Sequence, residues 1–370
     1  MNQLFRAVVA AAVVCAVPAF AQADDKITKK DGSTVAGQIM EWDYRNAKVQ
    51  LPGAGKATTN VKTDDIESVE YGGLTKEWKD ADTDYKSGKD DAAVGKFKAL
   101  AENKKLRAAL RQEAFWNAAN ASFRLGKDED GVAMLKTLIS EAEFPSSRYL
   151  GAAQDNIVRG LTRMGKSADS IAFADAEISR TGRLADSAAF VDRLKLMRCR
   201  ALLAQGKAKD AKVDAGSLAQ GTGAMSGEAK VLMASIAFAE KDNAAAETQA
   251  TAALKLSLSN AARAECYNVI GKCLLEKGKA TNKSDLIRDA LLKFLRSALQ
   301  FPPASGEDTG AHEEALFNAA ESFFFIAELG KGDDQVRSFS RARDLYRRVL
   351  AEYPQSRFKD PASKRLERLK

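Results

Sequence analysis

The sequence predicts a mainly α protein: an α-solenoid of about seven helical hairpins, preceded by a small all-β, barrel-like domain. The chain has 370 residues, more than the roughly 250–300 at which a single hydrophobic core stops growing. Its local pattern changes from strand-like to helical near residue 73. Beyond that point Gly-Lys pairs return at nearly constant intervals, which is typical of an array of repeated units.

The composition fits a folded chain and leaves few groups for catalysis. Apolar residues make up 45% of the chain and charged residues 29%, both ordinary values. His312 is the only histidine and there are four cysteines, so little is available for zinc, haem or histidine-based catalysis. We therefore expect no metal, no cofactor and no catalytic residue. His312 itself is expected at a solvent-exposed helix start.

The first 23 residues are predicted to be a cleaved signal peptide. Arg6 supplies a positive start, and residues 7–17 form an apolar run that is too short to cross a bilayer core of about 30 Å. Small-x-small triplets end at Ala21 and Ala23, as at cleavage sites. The protein is therefore expected to be periplasmic or secreted. The alternative, an N-terminal core helix, is disfavoured by the charged residues that follow.

Export would leave three cysteines, Cys199, Cys266 and Cys273. Cys266 and Cys273 are seven residues apart on one predicted helix, about 10.5 Å along its axis. A disulfide requires α-carbons within roughly 7 Å of each other, so these two cannot pair. We predict three buried thiols that act as small apolar residues. A bridge from Cys199 to a distant partner is the alternative.

Residues 24–73 are predicted to form the β domain. Turn signals are dense there, and apolar residues alternate with polar ones between them, as in short half-buried strands. Residues 31–39 and 65–70 resemble the small SH3-like or Sm-like barrels attached to bacterial envelope proteins. Trp42 and Tyr44 are assigned to the core or to an interface, because seven basic against nine acidic residues give no basic face for nucleic acid.

Recurring turns organise the helical domain, residues 74–370. The glycines of the first four Gly-Lys turns are 38, 39 and 41 residues apart, and glycine can take the left-handed conformation that ends a helix. Compact residues, which allow two helices to approach closely, occur seven positions before the first six turns and five after most. The predicted turns are at Gly88, Gly126, Gly165, Gly206, Lys241, Gly278 and Gly330. The compact residues are Ala81, Ala119, Val158, Cys199, Ala234 and Gly271 before them, and Ala93, Gly131, Ser170, Ala211 and Ala246 after them.

These features resemble the tetratricopeptide repeat family. The last unit has small, small, aromatic and proline residues at the family's positions, namely Ala320, Ala342, Tyr346 and Pro354. The sixth unit departs from the family through an insertion between Lys279 and Ile287. The resemblance implies stacked hairpins whose groove binds another protein or a peptide.

A seven-residue segment occurs twice. Residues 143–149, Glu-Phe-Pro-Ser-Ser-Arg-Tyr, parallel residues 352–358, Glu-Tyr-Pro-Gln-Ser-Arg-Phe. Such joints between hairpins are similar to those of the periplasmic branch of the family, which includes the Tol–Pal-associated division coordinator and the lipoprotein of the outer-membrane barrel assembly machine. Proline is expected to end one helix and serine to cap the next.

Residues 160–167 match the P-loop expression, Gly-x4-Gly-Lys-Ser. A P-loop needs a strand before its phosphate-binding loop and a helix after it. Here residues 151–159 have a helical pattern, and Gly165 coincides with a repeat turn. We predict an ordinary turn and no nucleotide binding.

Basic residues concentrate at the C-terminus. Residues 341–370 carry ten Lys or Arg against four Asp or Glu, which accounts for most of the net charge of +7. One interpretation is a solvated helix that caps the last repeat. The other is an electrostatic contact with an acidic partner or an anionic envelope surface. Its candidate residues are Arg347, Arg348, Lys364 and Arg365.

Two function classes follow. The leading one is an exported, non-enzymatic interaction scaffold of the cell envelope that binds another envelope protein or a peptide in the repeat groove, with no nucleic acid as partner. The alternative is an envelope enzyme, or an accessory subunit of one, with an unrecognised site in the groove. Capture of a defined partner without hydrolase activity would distinguish the first from the second.

Overall fold

The computed structural model describes residues 24–53, 57–141, 144, 146–303, 309–354 and 356–369. The predicted signal peptide, residues 1–23, lies outside these ranges. The chain folds into two compact units, with the division between Lys76 and Glu77. Among the described helices, none is long and apolar enough to cross a membrane.

The first unit contains five strands: β1 Asp25–Lys29, β2 Thr34–Trp42, β3 Asn46–Gln50, β4 Thr58–Lys62 and β5 Ile66–Glu70. They form one antiparallel sheet in the order β4-β3-β2-β1-β5. Trp42 and Tyr44 are only 5% and 8% exposed, so of the two predicted locations, core and interface, the structure shows the core.

The carboxylate of Asp25 connects three segments of this unit. Its Oδ2 accepts a hydrogen bond from the Ile39 N–H at 2.8 Å, and its Oδ1 accepts one from the Gly72 N–H at 2.8 Å. Asp25 is 1% exposed, and buried hydrogen bonds to a charged group are among the stronger ones. The first residue of β1 therefore holds both β2 and the chain that follows β5.

The rest of the described chain folds into 15 helices that form seven consecutive hairpins followed by a single helix. They are α1 Lys76–Lys86, α2 Asp90–Glu102, α3 Ala108–Arg124, α4 Asp128–Ser140, α5 Leu150–Arg163, α6 Ser167–Thr181, α7 Ala188–Ala204, α8 Ala208–Gln220, α9 Ser226–Ala239, α10 Asn243–Ala253, α11 Asn260–Thr281, α12 Ser284–Gln300, α13 Gly310–Leu329, α14 Gly332–Glu352 and α15 Lys359–Arg368. The predicted fold class, a solenoid of tetratricopeptide-like hairpins after a small β unit, is confirmed.

The hairpin turns share one hydrogen-bonding pattern. Gly126 has φ +71°, its N–H donates to the Phe123 carbonyl at 3.0 Å, and the Lys127 N–H donates to the Ser122 carbonyl at 2.9 Å. A left-handed residue in this position satisfies two carbonyls that the end of a helix leaves open. The same pair of bonds recurs at four other turns and at the sixth, that is at Gly88, Gly165, Gly206, Lys241 and Asn282.

The turn predicted at Gly278 is wrong. Helix α11 continues through this residue to Thr281, and the left-handed residue is Asn282, with φ +51°. Gly278 is buried, and a Cβ added there would lie 2.7 Å from the Ile287 side chain. Its small size therefore serves close packing against α12, and the predicted insertion lengthens α11.

The last turn lies between α13 and α14, as predicted. Its positive-φ residue is Gly332, with φ +61°, whereas Gly330 is extended at φ −86° and ψ 173°. The predicted position of the turn is therefore confirmed, and the residue predicted to be left-handed is wrong.

The compact residues beside the turns lie where the two helices of a hairpin meet. The Cys199 thiol donates to the Ala211 carbonyl at 3.2 Å, and the Ser170 hydroxyl donates to the Val158 carbonyl at 3.1 Å. All four residues are buried. A larger side chain would separate the helices, because protein interiors are close-packed.

The repeated segments form equivalent joints before α5 and before α15. The Ser147 N–H donates to the Phe144 carbonyl at 3.1 Å, and the Ser147 hydroxyl accepts from the Tyr149 N–H at 3.2 Å. Ser356 makes the same two bonds at 2.9 and 3.1 Å. The serines thus cap the joint itself, and the prediction that they cap the following helix is wrong. By this equivalence, α15 takes the place of the first helix of an eighth hairpin.

Two glycine substitutions test the role of the turns. Gly126→Ala should lower the free energy of unfolding by about 1–2 kcal/mol, because an L-residue resists the left-handed conformation. Gly95→Ala should raise it by about 0.5–1 kcal/mol, because Gly95 is exposed within α2 and a Cβ there meets no atom within 4 Å. Denaturant unfolding followed by circular dichroism measures both, and shifts of the same sign would contradict this account.

Candidate functional site

The first helices of the last five hairpins, from α5 to α13, form the inner layer of the array. Direct contacts join α5 to α7, α7 to α9, α9 to α11 and α11 to α13. Each second helix packs between its own first helix and the first helix of the next hairpin, as α4 does between α3 and α5. In stacked-hairpin proteins such an inner layer lines the concave surface used for binding.

We define the inner face by three positions on each first helix, counted back from the left-handed residue of the turn that follows that helix. Residues 13, 9 and 6 positions before the turn share one side of a helix, because they are three or four residues apart. They are Glu113, Asn117 and Asn120 in α3, Ala152, Asn156 and Arg159 in α5, Arg193, Met197 and Arg200 in α7, and Glu228, Leu232 and Ser235 in α9.

Ion pairs cross the inner face between hairpins. The Arg193 guanidinium of α7 contacts the Asp155 carboxylate of α5. Arg200 lies 2.9 Å from Glu265 of α11 and 3.8 Å from Glu228 of α9, measured from guanidinium nitrogen to carboxylate oxygen. The Arg200–Glu265 pair therefore bridges α7 and α11 across the intervening α9.

Burial shapes the electrostatics of these carboxylates. Burial raises the pKa of Asp155, although Arg193 opposes the shift. Burial also acts to raise the pKa of Glu314 in α13, but Lys272 and Arg357 outweigh it and hold that pKa below its ordinary value. The Lys272 ammonium lies 2.9 Å from the Glu314 carboxylate, so α11 and α13 are joined in the same way.

The inner face of α3 and α5 carries three asparagines, Asn117, Asn120 and Asn156, all partly exposed. Within the described ranges, none of their side-chain amides has a hydrogen-bond partner in the chain. Each amide offers two donors and a carbonyl acceptor. This part of the inner face can therefore hydrogen-bond a ligand without breaking an internal bond.

An aromatic stack borders these asparagines. The partly exposed Trp116 ring lies parallel to the Tyr149 ring, with centroids 4.6 Å apart and an angle of 6°. The Arg148 guanidinium lies 4.3 Å from the Tyr149 centroid, and the Tyr149 hydroxyl donates to Glu113 at 2.6 Å. The first joint thus holds Trp116 in a fixed orientation beside the free amides.

Of the four basic residues predicted for an electrostatic contact, Arg365 is held within the fold. Its Nε and Nη2 donate to the two carboxylate oxygens of Glu321, each at 2.7 Å. The guanidinium also lies 4.3 Å from the centroid of Phe324. Arg365 therefore fastens α15 to α13.

The other three lie at the surface. Arg347 and Lys364 are exposed, and Arg348 donates to Glu352 of the same helix at 2.6 Å. The structure thus leaves Arg347 and Lys364 as the members of the predicted set that a partner could reach directly.

The P-loop-like residues 160–167 form the turn between α5 and α6, as predicted. The Gly165 N–H donates to the Thr162 carbonyl at 3.0 Å, and the Lys166 N–H donates to the Leu161 carbonyl at 2.9 Å. The Lys166 ammonium lies 3.0 Å from Glu129. The amides that a P-loop would present to phosphate are thus bonded within the turn.

The prediction of three buried thiols is confirmed. Cys199, Cys266 and Cys273 are free and buried, and burial raises their pKa values to about 11, 12 and 11 respectively. Thiols with such pKa values are poor nucleophiles near neutral pH. In the described ranges, no group of three or more His, Cys, Asp and Glu is placed to hold a metal ion.

His312 lies in the first turn of α13, but the prediction that it is solvent-exposed is wrong. It is 7% exposed, and its Nδ1 lies 2.7 Å from the hydroxyl of Tyr353 in the second joint. Phe301 and Pro302 line a small cavity beside it. Burial, together with Arg348, lowers the pKa of His312.

No protein-family model and no curated protein matches the chain. Among solved structures, the C-terminal part of a TPR repeat-containing protein from Cytophaga hutchinsonii is 14% identical, covering 78% of this chain and 98% of that one, with a TM-score of 0.39. The apo quorum sensor NprR from B. thuringiensis is 12% identical, covering 69% and 82%, with a TM-score of 0.42. The TPR2AB domain of yeast Sti1, in its complex with pHSP90, is 16% identical, covering 80% and 97%, with a TM-score of 0.28. Because the sequence identities are only 12–16% and the TM-scores are below 0.5, these structures do not carry the fold assignment. The assignment rests on the seven hairpins observed in the chain.

The His312 environment predicts a pH-dependent stability. Because the pKa of His312 is lower in the folded chain than its ordinary value of 6.5, the unfolded chain binds more protons between these two values. The free energy of unfolding should therefore decrease as the pH falls from 6.5 towards the folded-state pKa. Since this is the chain's single histidine, NMR titration of its imidazole measures the pKa without assignment.

The control is His312→Gln, which removes the titrating group. This variant should lose the part of the pH dependence that lies just below 6.5, while the steeper loss from carboxylate protonation at lower pH remains. An imidazole that titrates at or above 6.5 in the folded chain would contradict the prediction.

Proposed function

We propose that the protein is an exported, non-enzymatic scaffold of the cell envelope that binds a segment of another envelope protein along its inner face. The observation that carries this proposal is the set of three partly exposed asparagine amides on α3 and α5 that bond to no other group in the described ranges. Amides in such positions have their donors and acceptors available, so they can pair with the backbone of a bound segment.

Sequence features support the envelope location. Residues 1–23 have the charge, apolar run and small residues of a secretory signal. The two joints, with their matching serine bonds, favour kinship with the periplasmic branch of the tetratricopeptide repeats. The five-stranded antiparallel order of the first unit is compatible with an SH3-like or Sm-like domain, which we include in the proposal.

Removal of the amides should abolish binding of the partner. We expect immobilised wild-type chain to capture a defined protein from envelope extract, identified by mass spectrometry. The triple variant Asn117→Ala/Asn120→Ala/Asn156→Ala should lose it, because each lost hydrogen bond to a ligand is worth about 0.5–1.5 kcal/mol. The melting temperature should change little, since the amides bond nothing in the described fold.

The matched control removes amides elsewhere. Gln220→Ala/Asn260→Ala changes two exposed residues outside the inner face and should leave capture unchanged. Equal capture by the triple variant and the wild type would show that the inner face of α3 and α5 is not the binding site.

We also propose that the exposed C-terminal charges assist binding to an anionic surface. Arg347→Glu/Lys364→Glu should weaken binding to phosphatidylglycerol vesicles and reduce its salt dependence, because exposed charges are screened beyond about 8–10 Å at physiological salt. Arg365 is kept because it holds α15. The control Lys98→Glu/Lys105→Glu reverses two exposed charges in and just after α2 and should bind as the wild type does. Unchanged affinity and salt slope in the C-terminal variant would leave only the capping interpretation.

A further inference from the structure

We infer that the inner face of α3 and α5 binds an extended, proline-rich segment in the polyproline II conformation. In this arrangement Trp116 stacks on proline rings, and Asn117, Asn120 and Asn156 pair with the backbone of the segment. The inference rests on the proposed function, for which it names the chemical class of the partner.

The free amides favour an extended partner over a helical one. A bound helix has already satisfied its backbone groups internally, so it would leave the three asparagines without backbone partners. A polyproline II segment has no internal hydrogen bonds, and its carbonyls therefore need donors such as an asparagine NH₂ group. The amides lie on two successive first helices, which suits a segment that crosses from one helix to the next.

The Trp116 ring is already ordered before a ligand binds. Trp116 is held by its parallel stack on Tyr149 at 4.6 Å, so binding costs little additional ordering. Aromatic-lined grooves are a recurring means of recognising polyproline II segments. The nearby carboxylates contact basic groups of the chain, Glu113 with Arg148 and Asp155 with Arg193. Both carboxylates therefore have basic partners within the chain and do not require a basic ligand.

The inner face also limits the length of the segment. Arg200 and Glu265 form a bridge across α9, so the open part comprises the first helices before it. We therefore expect a short proline-rich stretch of a longer partner.

Tryptophan fluorescence provides a direct test. Trp42 and Trp78 are each 5% exposed, so a ligand on the inner face should perturb Trp116 alone. Titration of the full chain with an oligoproline of about nine residues should give a saturable change, and calorimetry should give the affinity. A Gly-Ser peptide of equal length should not bind.

Substitutions of the inner-face residues show which side chains contact oligoproline. Trp116→Ala and Asn117→Ala/Asn156→Ala should each reduce the affinity for oligoproline by about tenfold or more, while Gln220→Ala/Asn260→Ala should not change it. Trp116→Phe keeps a ring beside Tyr149, so it should fold normally and bind with an intermediate affinity. This second variant provides the test if Trp116→Ala is unstable.

Two results would overturn the inference: oligoproline that binds no better than the Gly-Ser peptide, or binding that is insensitive to Trp116→Phe and to loss of the asparagines. If oligoproline fails while capture of an envelope protein still depends on the asparagines, the proposed function stands and the proline-rich class is wrong. If both fail, the inner face of α3 and α5 is not a binding site.

Discussion

A left-handed backbone residue at each hairpin turn is the constraint on which the helical unit depends. Gly88, Gly126, Gly165, Gly206, Lys241, Asn282 and Gly332 all have positive φ, one in each of the seven hairpins. Such a residue reverses the chain within a short turn and, at the first six turns, satisfies two carbonyls at the helix end. At the first five turns it thereby fixes the register of the two helices, and compact residues lie seven positions before it and five after it.

The recurrence of lysine after several of these glycines is explained by a different interaction. Lys127 lies 2.6 Å from Asp91, and Lys166 lies 3.0 Å from Glu129, so each reaches the second helix of the preceding hairpin. The acids occupy the first turn of their helices, where negative charge is favoured by the helix dipole. Exposed pairs of this kind contribute little individually. They do link the turns at Gly126 and Gly165 to the turns before them, so at these two places the Gly-Lys pair reflects one requirement within a hairpin and another between hairpins.

Features that depend on local geometry could be predicted from the sequence, and features that depend on distant residues could not. The turns and compact residues follow from short-range spacing, and all but the sixth turn were located. The prediction of a turn at Gly278 is wrong because the position of this glycine in the sequence pattern is typical of a turn. Its role in the structure is instead determined by close contact with Ile287. His312 is buried by Tyr353, 41 residues away, and Arg200 pairs with Glu265 at a distance of 65 residues. The inner face, the candidate site, could be recognised only once the register placed successive first helices side by side.

This register also explains how one fold provides both a rigid part and a binding part. Positions 13, 9 and 6 residues before the turn lie on the same side of the first helix in successive hairpins. The middle position is a buried core residue in α7 and α9, Met197 and Leu232, whereas in α3 and α5 it is a partly exposed asparagine. Ion pairs join the first helices from α5 to α13, such as Arg193–Asp155, Arg200–Glu265 and Lys272–Glu314. In α3 and α5 the chain places asparagines on the inner face that bond to nothing else in the described ranges. Ion pairs that are partly removed from solvent stiffen the array only where both partners are present. The surface available to a partner is therefore determined by where the chain omits those pairs.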